Sequence, residues 1–148
     1  MTRDDSTAGA SKPRIILDTN TLVSAFLFSG ETPRAALRHA LNDYQVVFSP
    51  ETWDELADVF QRDKFDAVLP RAARMRVLAE LARYIDVVTV TSTITDCRDD
   101  KDNKFLALAL DSGARSIVSG DKDLLTLHPW RGVVILSPGD FLRGLPPS

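Results

Sequence analysis

Short β-branched apolar runs recur along this chain, and segments with helical spacing separate them. That alternation restricts the fold more than any other feature. Arg14 to Leu17, Gln45 to Phe48, Ile85 to Val90, Arg115 to Val118 and Val133 to Leu136 read as strands. Thr21 to Phe28 is helix-compatible and is ended by Ser29-Gly30, and Pro33 to Asn42 reads as a second helix with proline in its first turn. Ser49-Pro50 offers an N-cap followed by proline at the first helical position, opening a helix from Pro50 to Arg62. Pro70 to Tyr84 is a further helix, with Met75, Leu78, Leu81 and Ala82 on its apolar side. Lys101 to Asp111 is another, closed by Ser112-Gly113, and a short one surrounds Leu124-Leu125. A helical turn from Pro138 to Leu142 comes last. The order β-α-α-β-α-α-β-α-β-β-α predicts an α/β three-layer sandwich, a mainly parallel sheet flanked by helices.

The chain has 148 residues, of which 44% are hydrophobic and 26% charged, enough for one soluble domain with a real core. The polar start is expected to be a disordered leader over residues 1–13, followed by a domain over 14–142 and a tail over 143–148. No apolar run approaches the roughly 18 residues a membrane span needs. The single cysteine, Cys97, forbids an intrachain disulfide and fits a cytoplasmic setting. Two histidines and one cysteine argue against structural zinc. The acids around Cys97 disfavour a thiolate nucleophile. Neither GxGxxG nor GxxxxGK[ST] occurs, so no nucleotide cofactor is suggested. The net charge of −3 leaves a nucleic-acid partner open, because acids gathered in one pocket can outweigh a basic surface. Arg71, Arg74, Arg76 and Arg83 read as a solvated helix face.

Four acids stand where such a fold could gather them. Asp18 follows the first strand and Asp121 follows the fourth, and ligands of open α/β sheets bind outside the carboxyl ends of strands. Capping of the next helix is an equally good reading of either one alone. Asp102 lies in a first helical turn, with Phe105, Leu106 and Ala109 at i+3, i+4 and i+7. A carboxylate on that apolar face is costly unless something pairs with it. Asp99 and Asp100 read as solvated loop acids. Glu55 is the least distinct, because Glu51, Glu55 and Asp58 together look like an exposed helix face. Two unit charges about 4 Å apart repel by roughly 4 kcal/mol at an effective dielectric of 20. Clustered carboxylates therefore imply protons or a hard cation, Mg²⁺ or Mn²⁺.

The segment Arg14 to Leu142 resembles the PIN-domain family, and within it the VapC-like toxins of toxin–antitoxin systems. The resemblance rests on Ile15-Ile16-Leu17-Asp18-Thr19-Asn20, Ser49-Pro50-Glu51-Thr52-Trp53-Asp54-Glu55-Leu56, Cys97-Arg98-Asp99-Asp100-Lys101-Asp102-Asn103-Lys104-Phe105 and Ser119-Gly120-Asp121-Lys122-Asp123. It implies a metal-dependent ribonuclease whose acids are Asp18, Glu55, Asp102 and Asp121. Of these, Asp18, Asp102 and Asp121 would hold Mg²⁺ or Mn²⁺, and Glu55 would bind the ion directly, bind through water, or position the attacking water. Asn20 and Ser119 match polar pocket positions, Asp123 matches a further acid of some members, and Asp99 matches an acid common in the subgroup. The resemblance also implies RNA as substrate, an antitoxin protein as partner and a homodimer. Lys104 and Lys122 are candidates to position the RNA backbone. The rivals are a haloacid-dehalogenase-type phosphatase, which wants Asp-x-Asp where Asn20 stands, a receiver-type phosphoacceptor, and a PIN-like scaffold that binds without cutting.

Overall fold

The central strands are apolar at successive positions because both of their faces are buried. A computed structural model describes residues 12–28 and 30–144. The expected leader and tail lie mostly outside those residues. Strands β1 (Arg14–Leu17), β2 (Gln45–Phe48), β3 (Ile85–Val87), β4 (Ser116–Val118) and β5 (Val134–Leu136) form one parallel sheet. Their order is β3-β2-β1-β4-β5. Side chains alternate across a sheet. Ile15, Leu17, Val46, Phe48 and Val118 accordingly enter one core, while Ile16, Val47, Ile117 and Ile135 enter the other. Each such burial stabilises by roughly 1.5–3 kcal/mol relative to exposure.

The first core is roofed by α1 (Thr19–Leu27), α2 (Glu31–Asp43), α3 (Pro50–Phe60), α4 (Arg71–Ala82) and α7 (Pro138–Arg143). The second is covered by α5 (Asn103–Ser112), by α6 (Lys122–Leu125) and by the segment 88–97. The three layers match the expectation. Helix α3 begins as its sequence predicts: Ser49 and Thr52 cap each other reciprocally, and Pro50 occupies the first turn. The connection bearing α6, the short helix expected around Leu124-Leu125, separates β4 from β5 and so lets them run parallel.

Three expectations are corrected. The third strand ends at Val87 rather than Val90. Val88 still donates to the Phe48 carbonyl at 2.8 Å, and the chain then leaves the sheet edge. There the Asp111 carboxylate accepts the Thr91 and Ser92 N–H groups at 2.7 and 2.9 Å, pinning the segment to the end of α5. The second correction concerns the arginines. Arg71, Arg76 and Arg83 are exposed, but Arg74 is completely buried. It donates to the carbonyls of Phe60 at 2.6 Å, Arg62 at 3.4 Å and Leu69, and to Asp66 Oδ1 at 2.8 Å. The turn after α3 brings these carbonyls inward, and buried acceptors require a donor. Ala82, expected on the apolar side of the helix, is exposed.

The strand order reverses at β1, with β2 and β3 on one side and β4 and β5 on the other. The crevice beyond the carboxyl ends of β1 and β4 is thus the topological switch point. Among the described residues no helix is long and apolar enough to cross a membrane.

Candidate metal centre

The register of β1 against β4 builds the first half of the site. Leu17 pairs with Val118, and the Asp18 N–H donates to the Val118 carbonyl at 3.1 Å. Asp18 therefore lies beside Ser119, and both are buried. Asp18 Oδ1 accepts the Thr21 N–H at 2.9 Å and caps α1, while Oδ2 accepts the Ser119 hydroxyl. Ser119 Oγ in turn accepts the Asp121 N–H at 3.0 Å. Asp121 Oδ1 caps α6 by accepting the Asp123 N–H at 2.8 Å. Capping and a place in the crevice thus coexist for both acids, because a carboxylate has two oxygens. Burial pushes the Asp18 carboxyl above its usual range; the bonds from Ser119 and Thr21 pull it down, and the Asp121 charge pushes it further up.

Asp102 supplies the second half and behaves differently. It occupies the N-cap position of α5 but makes no capping bond. It is only 8% exposed, and its Oδ2 is buried with no hydrogen-bond partner. Carboxylate oxygens of Asp99, Asp102 and Asp121 lie within 4.8 Å of one another. The Asp102 carboxyl is raised to about 7, first by burial, then by a hydrogen bond with Asp121 that favours the protonated form, then by the charges of Asp121, Asp99 and Asp18.

Asp99 is the acid that the local sequence pattern placed in a solvated loop. A 3₁₀ turn over Asp100–Asp102 winds the chain so that Asp99 joins the group, while Asp100 stays exposed. The loop is tied by Asn103, whose Oδ1 accepts the Cys97 N–H at 2.8 Å and whose Nδ2 donates to the Cys97 carbonyl at 3.4 Å. Cys97 is itself buried, and burial with the neighbouring charges of Asp102, Asp123 and Asp121 pushes its thiol up, against any thiolate role.

These acids open onto a cleft of about 240 Å³ lined also by Asn20, Glu55 and Phe105. Asn20 is exposed within it. Glu51 and Asp58 face solvent, but Glu55 is half-buried and turns inward. Its Oε1 accepts the Thr19 hydroxyl, and its Oε2 stands 2.9 Å from Lys104 Nζ. Glu55 is not one of the three acids whose oxygens converge. Asp123 is half-buried and does not line the cleft. Lys104, one of the two candidates to position the RNA backbone, points to Glu55 with its side chain only 11% exposed, and Lys122 does not border the cleft. The bordering cations are Lys101 and Arg62, which the sequence reading missed. Arg62 lies beyond the end of α3 in extended conformation, so helical spacing from Glu55 does not place it. A larger hollow of about 540 Å³ lies at the opposite, amino edge of the sheet, lined by Lys12, Arg14, Gln45, Asp86 and Arg115. It gathers no converging carboxylates, so the smaller cleft is the candidate site.

A PIN domain model matches residues 14–123. The chain belongs to the PIN-domain family. The uncharacterized protein MJ1680 of Methanocaldococcus jannaschii is 28% identical over 119 residues, spanning 79% of this chain and 76% of that one. Among solved structures, VapBC2 from Rickettsia felis bound to a DNA fragment from their promoter shares the fold at a TM-score of 0.57 and 11% identity, over 82% of this chain and 96% of that chain. PAE2754 from Pyrobaculum aerophilum also gives a TM-score of 0.57, at 14% identity over 89% of this chain and 88% of that chain. In this PIN domain the strand-end Asp18 lines the acidic cleft, although like Glu55 it is not among the three acids whose oxygens converge, and Asn20 stands where a dehalogenase-type Asp-x-Asp pair needs its second acid.

Proposed function

We propose that this PIN domain is a divalent-cation-dependent ribonuclease and the toxin of a toxin–antitoxin pair. One observation carries the reading: Asp102 is buried, faces Asp99 and Asp121, and keeps an oxygen without a partner. A buried charge in that state wants a counter-ion. The available donors are all carboxylate oxygens, which suit Mg²⁺ or Mn²⁺. Asp18, Asp99, Asp102 and Asp121 are the residues that would hold the ion. When bound, such an ion supplies Lewis acidity and an activated water.

The chain's own residues would do the rest. Ser119 and the Thr21 amide hold the Asp18 carboxylate in one orientation. Asn103 fixes the loop that carries Asp99 and Asp102. Glu55 would orient the attacking water from the far side of the cleft. Lys101 and Arg62, at its border, would contact phosphates of the substrate. Asn20, exposed in the cleft, would touch the substrate, whereas Asp123 would act only through the turn that carries Asp121. The catalytic unit would be residues 14–142, working in the cytoplasm where RNA is available. The likeness to the VapBC2 fold supports an antitoxin partner, and the family supports a homodimer.

Purified protein incubated with defined RNAs tests the proposal. Cleavage is expected with Mn²⁺, none with EDTA, and none from Asp18→Asn or Asp102→Asn proteins that melt normally. Undiminished cleavage in EDTA, or by both variants, overturns it.

A further inference from the structure

We propose that Lys104 is a positioning residue that, together with Thr19, withholds Glu55 from the cation held by the other acids. The inference rests on the metal-centre reading above and assigns Glu55 one of the roles that reading leaves to it. Both carboxylate oxygens of Glu55 are engaged, as those of Asp18 are, but one partner of Glu55 is a cation whereas Asp18 meets only neutral donors. Oε1 accepts the hydroxyl of buried Thr19, at the start of α1. Oε2 stands 2.9 Å from Lys104 Nζ, on the first turn of α5. The pair is sheltered: the Lys104 and Glu55 side chains are 11% and 31% exposed. Lys104 Nζ also donates to the Lys101 carbonyl, within the loop that carries Asp99 and Asp102. One ammonium therefore joins α3 to the acid-bearing loop.

The geometry divides the acids in two. Asp99, Asp102 and Asp121 converge and are short of positive charge. Glu55 has its own cation and its own hydroxyl donor. A carboxylate so neutralised gains little by turning to a second cation, and it keeps a fixed edge toward the cleft. Such an acid is suited to orient water or substrate rather than to ligate. The Lys104 charge does a second thing: it lowers the negative potential around the three acids, and so weakens their hold on a cation.

Mn²⁺ titration calorimetry on the full chain without RNA tests this. The variants are Lys104→Met, Lys104→Arg, and the charge-balanced double change Lys104→Met with Glu55→Gln. Lys104→Met is expected to bind Mn²⁺ roughly tenfold more tightly, because it adds a free carboxylate to the site. Lys104→Arg is expected to match the unaltered protein. The double variant removes the neutral pair as a unit and is expected to bind within roughly threefold of the unaltered protein. A double variant that binds tenfold or more weakly overturns the inference, since Glu55 would then be a ligand. No Mn²⁺ binding by the unaltered protein overturns the metal-centre reading instead. Melting curves of each variant establish that folding is intact.

Discussion

The protein buries charge in two places and completes the surroundings in only one of them. Around Arg74 every contact is attractive: three backbone carbonyls and Asp66 face one guanidinium. Around Asp102 the neighbours are acids, and one oxygen has no partner. The first centre is finished by the chain itself and holds the turn between α3 and α4. The second is left short of a cation, and the chain accepts that deficit in a domain otherwise assembled from well-buried strands. The difference separates a charge kept for architecture from a charge kept for chemistry.

Removing each charge should therefore move stability in opposite directions. Arg74→Ala is expected to lower stability by about 3–5 kcal/mol, because three inward carbonyls lose their donor. Thermal unfolding reads this, and a melting temperature lowered by less than a few degrees would erase the contrast. Mn²⁺ at a hundred times its dissociation constant should stabilise by about 2.7 kcal/mol, since it binds the native state alone. The same melts with Asp102→Asn should show no such shift. In EDTA, Asp102→Asn is expected to be more stable than the unaltered protein by about 1–2 kcal/mol while losing cleavage, as removal of a repelled carboxylate predicts.

The pH dependence sharpens the comparison further. The Asp102 carboxyl rises from 3.8 to about 7 in the native state. Between those values the native protein binds more protons than the unfolded chain does, so its stability falls as pH rises across that window. Stability in EDTA should thus decline from about pH 4 to pH 7, and Asp102→Asn should flatten the slope. The smallest effect is Asp66→Ala. The Asp66 side chain is 57% exposed, so its loss should cost less than about 1 kcal/mol. A larger loss would mean that the ion pair, rather than the carbonyls, completes the guanidinium's surroundings.

Much of this was legible in residue spacing. The sheet was readable because strands buried on both faces are uniformly apolar, and Asp102 because it shares a helical stripe with Phe105, Leu106 and Ala109. Arg74 obeys the same rule, standing four and seven residues before Leu78 and Leu81. Three exposed arginines nearby disguised it as part of a solvated face. Asp99 was hidden by the 3₁₀ turn, whose winding moves a loop acid into the cleft without altering any periodic pattern. Helical spacing could not separate Glu55 from Glu51 and Asp58; the resemblance singled it out, and its contacts with Thr19 and Lys104 are distant in sequence. The end of β3 was unreadable because an edge strand and the apolar segment leaving it have similar composition.

The Asn103 clasp on Cys97 has a mechanical consequence. It makes Asp99 and Asp102 travel with α5, whereas Asp18 and Asp121 travel with the sheet. An ion shared by all four would be a rivet between two plates. Amide exchange should then slow together in the 97–103 loop and at the ends of β1 and β4 when Mn²⁺ is added.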